Sequence, residues 1–305
     1  MSYAYRLAAL KIESDLALPD LSPWDGSGIS EPDISFRLGA VPPRLHEPDH
    51  SEAIFQTRGR DEYLLVLPGT GRILVRHGRQ VTVELEHGAD PINTCALLTG
   101  PIQAVLWHQR GLVPLHANAV VIGGRAVALA GTAAAGKSAL AATLARDGHQ
   151  PLADNLCVLD DAGKTAPAMV LPGVALLRLW RDTIEHLAIP ADGMASALSG
   201  RDRFLVDRWS ACREPRALAA VIVLVRRSSV ALTIERLSGI TALGALRDMV
   251  QMRRPASALG RSSEILGCLT RLLVVAVPVW RLQLPDDVSC LSDAAAEVLG
   301  ALEQP

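Results

Sequence analysis

Eight residues constrain this chain more than any others: Gly131-Thr132-Ala133-Ala134-Ala135-Gly136-Lys137-Ser138 fit the spacing G-x-x-x-x-G-K-[ST]. An apolar run, Ala126–Ala130, precedes the loop, and an alanine- and leucine-rich segment, Ser138–Arg146, follows it and closes at Gly148. Strand, loop and helix in that order bring backbone N–H groups and a helix N-terminus to one point, which favours an anion. The pattern predicts that Lys137 reaches the β/γ-phosphates of a nucleoside triphosphate and that the Ser138 hydroxyl ligates Mg²⁺. Three alanines fill the loop centre, where many such loops place a further glycine. If one of them must adopt positive φ, the cost is on the order of 1 kcal/mol and the loop is stiffer.

The rest of the chain supports an α/β protein. With 305 residues, 49% of them hydrophobic and 20% charged, it has ample material for a core. Thirty basic and thirty-two acidic residues leave a formal charge of −2, which argues against nucleic acid or an anionic membrane as partner. Cys95, Cys157, Cys212, Cys268 and Cys290 form no metal-ligand spacing and read as buried thiols. With no signal-peptide pattern at the start and no apolar run long enough to span a bilayer, the expected location is the cytoplasm.

Proline and glycine punctuate residues 1–92 so densely that only short elements fit. Tyr63–Leu67, Gly71–Arg76 and Gln80–Leu85 read as strands, with a hairpin turn at His77-Gly78-Arg79, so a small, mostly β region is expected there. Residues 93–110 read as a linking helix stopped by Gly111, and 111–305 as the nucleotide-binding domain. Within the latter, strands are expected at Ala119–Ile122, Ala126–Ala130, Ala175–Leu179, Ala219–Val225 and Val274–Leu284, and helices at Ile240–Met252, Ser262–Leu272 and Ser289–Leu302.

Two further segments flank the loop: Leu115-His116-Ala117 before its strand, and His149-Gln150-Pro151-Leu152-Ala153-Asp154-Asn155 after its helix. Together with the loop they resemble the C-terminal domain of HPr kinase/phosphorylase, and the whole chain resembles the shorter HPr-kinase-like proteins of lasso-peptide gene clusters. The resemblance implies a P-loop kinase domain of the HPr kinase / PEP carboxykinase type. It also implies ATP and Mg²⁺ as cofactors and a peptide serine as acceptor, the lasso-peptide precursor near its C-terminus. Asp154 matches the family's first aspartate and is the expected base, needed because a free serine hydroxyl is a poor nucleophile. His116 matches the histidine that tunes that base, and His149 reads as a helix-closing residue.

The chain departs from the family at Asn155, which stands where a second aspartate is usual and removes one charge near the metal, for which Ser138 and Asn155 are the expected ligands. The glutamate-bearing Arg-Gly-Leu-Gly-Ile type of stretch is also missing, with Leu176–Trp180 near its place, so reverse phosphorolysis is not implied. Arg201, Arg203, Arg253 and Arg254 are candidate phosphate contacts among which sequence does not choose. The motif reports the donor and not the acceptor, which leaves a small-molecule kinase and a nucleotide-binding regulator as alternatives. Homo-oligomerisation stays open too, since the full-length family is hexameric but differs in its N-terminal region.

Overall fold

A computed structural model describes residues 2–26, 31–161, 168–174, 176–190, 193–228 and 230–303. The chain divides into two compact units, Met1–Pro114 with Gln251–Ile265, and Leu115–Val250 with Leu266–Pro305.

In the first unit the short runs between prolines and glycines pair into a nine-stranded sheet. Its middle is the meander Glu62–Leu67, Gly71–Arg76 and Gln80–Leu85, paired antiparallel. The turn between the last two has consecutive positive φ values, 54° at His77 and 62° at Gly78. Gly78 has no room for a side chain, because an added Cβ would lie 2.6 Å from Arg110 Cγ. Tyr3–Leu7, Leu10–Ser14 and Ile34–Leu38 extend the sheet on one side, Phe55–Arg58 on the other. These strands escape the sequence reading because each is only four or five residues long.

The helical stretch begins at Pro91, two residues before the expected Asn93, because Asp90 caps it by accepting from the Asn93 N–H at 2.9 Å. It widens into a π turn over Leu98–Ile102, where Pro101 lacks the N–H an α-helical bond needs, and continues as Gln103–Gln109. Segment 251–265 packs within the same unit: Thr57 Oγ1 donates to Ala258 O (3.3 Å), and His108 Nε2 lies 2.8 Å from Gln251 O.

In the second unit, Arg125–Gly131 is flanked by Ala117–Ile122, antiparallel, and by Arg216–Arg227, parallel. Val279–Pro285 pairs parallel to the far side of Arg216–Arg227. Buried on several sides, these strands read as near-continuous apolar runs. Val127, Leu129, Ile222, Leu224 and Leu282 form one core with Leu140 and Leu144 of the helix Lys137–Arg146 and Val298 of the helix Leu291–Glu303. The expected strand Val274–Leu284 is corrected: the helix Ser262–Val274 runs to its first residue and the strand starts at Val279. An unbroken apolar run carries no period with which to separate the two; Ala276, at φ 59°, and Pro278 make the break. The expected strand Ala175–Leu179 is found as Leu177–Trp180, with Ala175 outside the described residues. Among the described residues no helix is long and apolar enough to cross a membrane.

One buried group makes the first unit pH-sensitive. His108 is wholly buried, its Nδ1 has no hydrogen-bond partner, and burial pushes its pKa from 6.5 down to about 4, against the pull of the Gln251 carbonyl. Its folded pKa lies below the unfolded one, so stability is complete above pH 6.5 and is lost as pH falls toward 4. Urea unfolding at a series of pH values should show a decline of up to about 1.4 kcal/mol per pH unit from this group, flattened in His108→Gln.

Candidate functional site

The strand Arg125–Gly131 delivers the chain to the loop with Gly131 alongside Leu224 of the neighbouring parallel strand. A Cβ on Gly131 would sit 2.9 Å from Leu224 O, so only glycine lets the chain turn this close to the sheet. Ala135 N–H donates to Thr132 O (3.2 Å), Gly136 takes φ 94°, and the helix starts at Lys137. Of the three loop alanines, Ala134 adopts positive φ, 62°, the case for which a cost of about 1 kcal/mol applies. The first helical N–H groups have no carbonyl one turn earlier, so they face the cleft as donors.

Behind the loop lies a buried polar network centred on Asp154, at the end of the strand Gln150–Ala153. Asp154 is 2% exposed. Its Oδ1 accepts from Ser138 Oγ (2.8 Å) and Asn118 Nδ2 (2.6 Å), and its Oδ2 accepts from Arg178 Nη1 (3.2 Å). Asn118 also accepts from the Asn155 N–H (3.0 Å), which holds that residue at φ 65°, a conformation asparagine tolerates better than most. The Arg178–Asp154 pair is nearly solvent-free, with side-chain exposures of 7% and 0%.

The cleft in front is lined by His116, Asn118, Lys137, Asn155, Arg178 and Arg203 together with the loop. Lys137 Nζ donates to the carbonyls of Gly131 and Thr132, 2.8 Å each. Burial lowers its pKa to about 8, with the positive charge of Arg203 adding to the fall and Asp154 opposing it. His116 is pushed down to about 4, by burial first and then by Lys137 and Arg203, against a side-chain hydrogen bond with Asn155. It is therefore a neutral imidazole near pH 7. The side-chain partner of His116 is Asn155, whereas Asp154 is held by Asn118, Ser138 and Arg178.

The structure thus brings Gly131–Ser138, His116, Asp154 and Asn155 into one place, and adds Asn118 and Arg178, which the sequence reading did not assign a role. Asn118 lies within the apolar strand Ala117–Ile122 and is fully buried; a lone amide in such a run was the available signal, because a buried polar side chain needs partners. Of the four candidate arginines, only Arg203 lines this cleft, while Arg253 and Arg254 belong to the other unit. Among the described residues no group of three or more His, Cys, Asp or Glu side chains converges on a metal position. The oxygens of Ser138, Asp154 and Asn155 nonetheless suit a hard cation held chiefly by phosphate and water.

No protein-family model matches the chain. No curated protein matches it. A solved structure of the Hpr(Ser) kinase/phosphatase from Coxiella burnetii is similar over 62% of this chain and 95% of that one, at 16% identity and a TM-score of 0.32. Likeness at that score carries no functional argument, which rests on the residues themselves.

Two measurements probe the network. Arg178→Met strands a buried carboxylate and should lower unfolding free energy by about 3–5 kcal/mol, while adding Asp154→Asn in the same chain should recover much of the loss. Equal stability of Arg178→Met and wild type in urea would show the pair to be energetically idle. At the loop, Ala134→Gly relieves the left-handed strain at a smaller entropic cost, so the same assay should show a gain of about 0.5–1 kcal/mol.

Proposed function

We propose that this protein is an ATP-dependent kinase that transfers the γ-phosphoryl group to a serine hydroxyl of a peptide, acting in the cytoplasm. Following the family resemblance, the peptide is a lasso-peptide precursor phosphorylated near its C-terminus. The observation that carries the reading is the hydrogen bond from Ser138 to the strand-end carboxylate of Asp154, directly behind Lys137 and the loop's helix N-terminus. A loop serine held by a buried carboxylate is oriented for a phosphate-bound cation, and a lysine beside it supplies charge to the outer phosphates.

In this reading the loop N–H groups, Gly131 to Ser138, bind the phosphates. Lys137 releases its two loop carbonyls to reach them; at a pKa of about 8 it is mostly charged at neutral pH, and phosphate contact strengthens that charge. Ser138, with Asn155 nearby, would hold Mg²⁺, which would supply positive charge to offset that of the phosphates. The bond from the serine oxygen to γ-phosphorus forms as the bond from γ-phosphorus to the bridging oxygen breaks, and ADP leaves with that electron pair. The serine proton passes to Asp154, and neutral His116 orients the acceptor side through Asn155.

A nucleotide-binding regulator is the second reading, favoured by one observation: the Asp154 carboxylate is enclosed by three donors. To act as base it must first exchange one of them for the acceptor hydroxyl.

Phosphopeptide formation from ATP, followed by mass spectrometry beside thermal melting, separates the two. Lys137→Ala should abolish nucleotide binding or transfer with the fold retained. Asp154→Asn should slow transfer by roughly 10²–10⁴-fold with little change in nucleotide affinity. Nucleotide binding by wild type without transfer to any hydroxyl peptide would favour the regulator, and wild-type rates in Asp154→Asn would reject the base.

A further inference from the structure

The hairpin of Leu177–Trp180 with Arg203–Val206 sorts its side chains by strand alternation. Leu177, Leu179 and Val206 enter the core, while Arg178, Trp180 and Arg203 share the opposite face, which walls the cleft. Trp180 and Arg203 are directly paired across the hairpin, and the Arg203 guanidinium lies over the Trp180 ring, 5.7 Å from its centre. Its Nε donates to Arg178 O at 3.2 Å. Both contacts fix the orientation of the guanidinium, and neither neutralises it.

The two arginines differ in their counter-charge. Arg178 is paired with Asp154, but among the described residues Arg203 forms no ion pair. The other charges of the cleft wall are engaged elsewhere: Arg226 pairs with Asp286 (2.6 Å), and Asp182 accepts from the N–H and hydroxyl of Thr183 (2.6 and 3.1 Å). Lys137, whose Nζ donates to two loop carbonyls, and half-buried Arg203 thus both line the cleft, and among the described residues neither forms an ion pair with a carboxylate. Holding like charges together out of water is unfavourable unless an anion enters between them.

We propose that Arg203, held over Trp180, is a catalytic residue that binds the transferring phosphoryl group alongside Lys137 in the same cleft. The inference rests on the kinase reading and deepens it by naming the group that recognises the third phosphate. The planar fork donates to two phosphoryl oxygens as charge spreads over them in transfer; it moves no proton, so the balance of the reaction is unchanged. Trp180 is a positioning residue that acts through Arg203.

The test is titration calorimetry of ATP and ADP, with Mg²⁺, against wild type, Arg203→Ala, Arg203→Lys and Trp180→Ala, beside thermal melting. Wild type should prefer ATP over ADP by roughly 10–100-fold, the worth of a charge-assisted bond pair to the third phosphate. Arg203→Ala should erase that preference while ADP affinity stays within about twofold, and its melting temperature should hold or rise because an unpaired cation has been removed. Arg203→Lys should keep part of the preference, and Trp180→Ala should lose part. A wild-type preference retained in Arg203→Ala, or a fallen melting temperature with the preference unchanged, would overturn this inference alone. Wild type that binds neither nucleotide would overturn the kinase reading and this inference with it.

Discussion

The arrangement of the second unit depends on the buried pair of Arg178 and Asp154. Two charges withdrawn from water cost several kcal/mol each, and the cost is offset only if every remaining lone pair finds a donor. Asp154 meets that demand by drawing in Asn118 and Ser138, so the carboxylate ties together three pieces of chain remote in sequence. The strand Ala117–Ile122, antiparallel to the one that leads into the loop, contributes Asn118, the helix after the loop contributes Ser138, and the hairpin contributes Arg178. The loop, the carboxylate behind it and the cationic wall in front are consequently one mechanical unit.

That unit stores strain and charge in the same small volume. Ala134 and Asn155, both non-glycine residues, take left-handed φ values of 62° and 65° on either side of the cleft. Such conformations persist where surrounding contacts over-determine them, and here the Asn118 side chain supplies one such contact by holding the Asn155 N–H. Burial and mutual repulsion keep His116 neutral and weaken the charge of Lys137. Under the proposed function the charges have a common sense: an entering polyphosphate supplies the counter-charge that the buried cations lack.

The positions of the expected elements show how far local pattern reaches. The strand Arg125–Gly131 and the helix Lys137–Arg146 follow from an apolar run, glycines where the backbone must turn tightly, and residues with high helix propensity. The strands Tyr3–Leu7, Leu10–Ser14 and Ile34–Leu38 did not stand out, because so few residues hold too little alternation against a background of prolines and glycines. The return of 251–265 to the first unit was invisible for another reason: its contacts, such as Thr57 with Ala258, join residues 201 apart, and nothing in a local window encodes them.

At the site, the sequence by itself determined the loop, the serine and lysine that open its helix, and the candidate acids and histidine, because each is defined by spacing along the chain or by a motif matched residue by residue. Whether a loop alanine would be strained it left conditional, and the structure put the positive φ at Ala134. Only the tertiary structure decided which groups meet. It gave His116 to Asn155, made Asn118 the bridge between carboxylate and loop, and chose Arg203 over Arg201, Arg253 and Arg254. The physical reason is that hydrogen bonds and ion pairs act over about 3 Å in space. Which residues come that close is fixed by strand order and by the core that seats the hairpin, not by their neighbours in the chain.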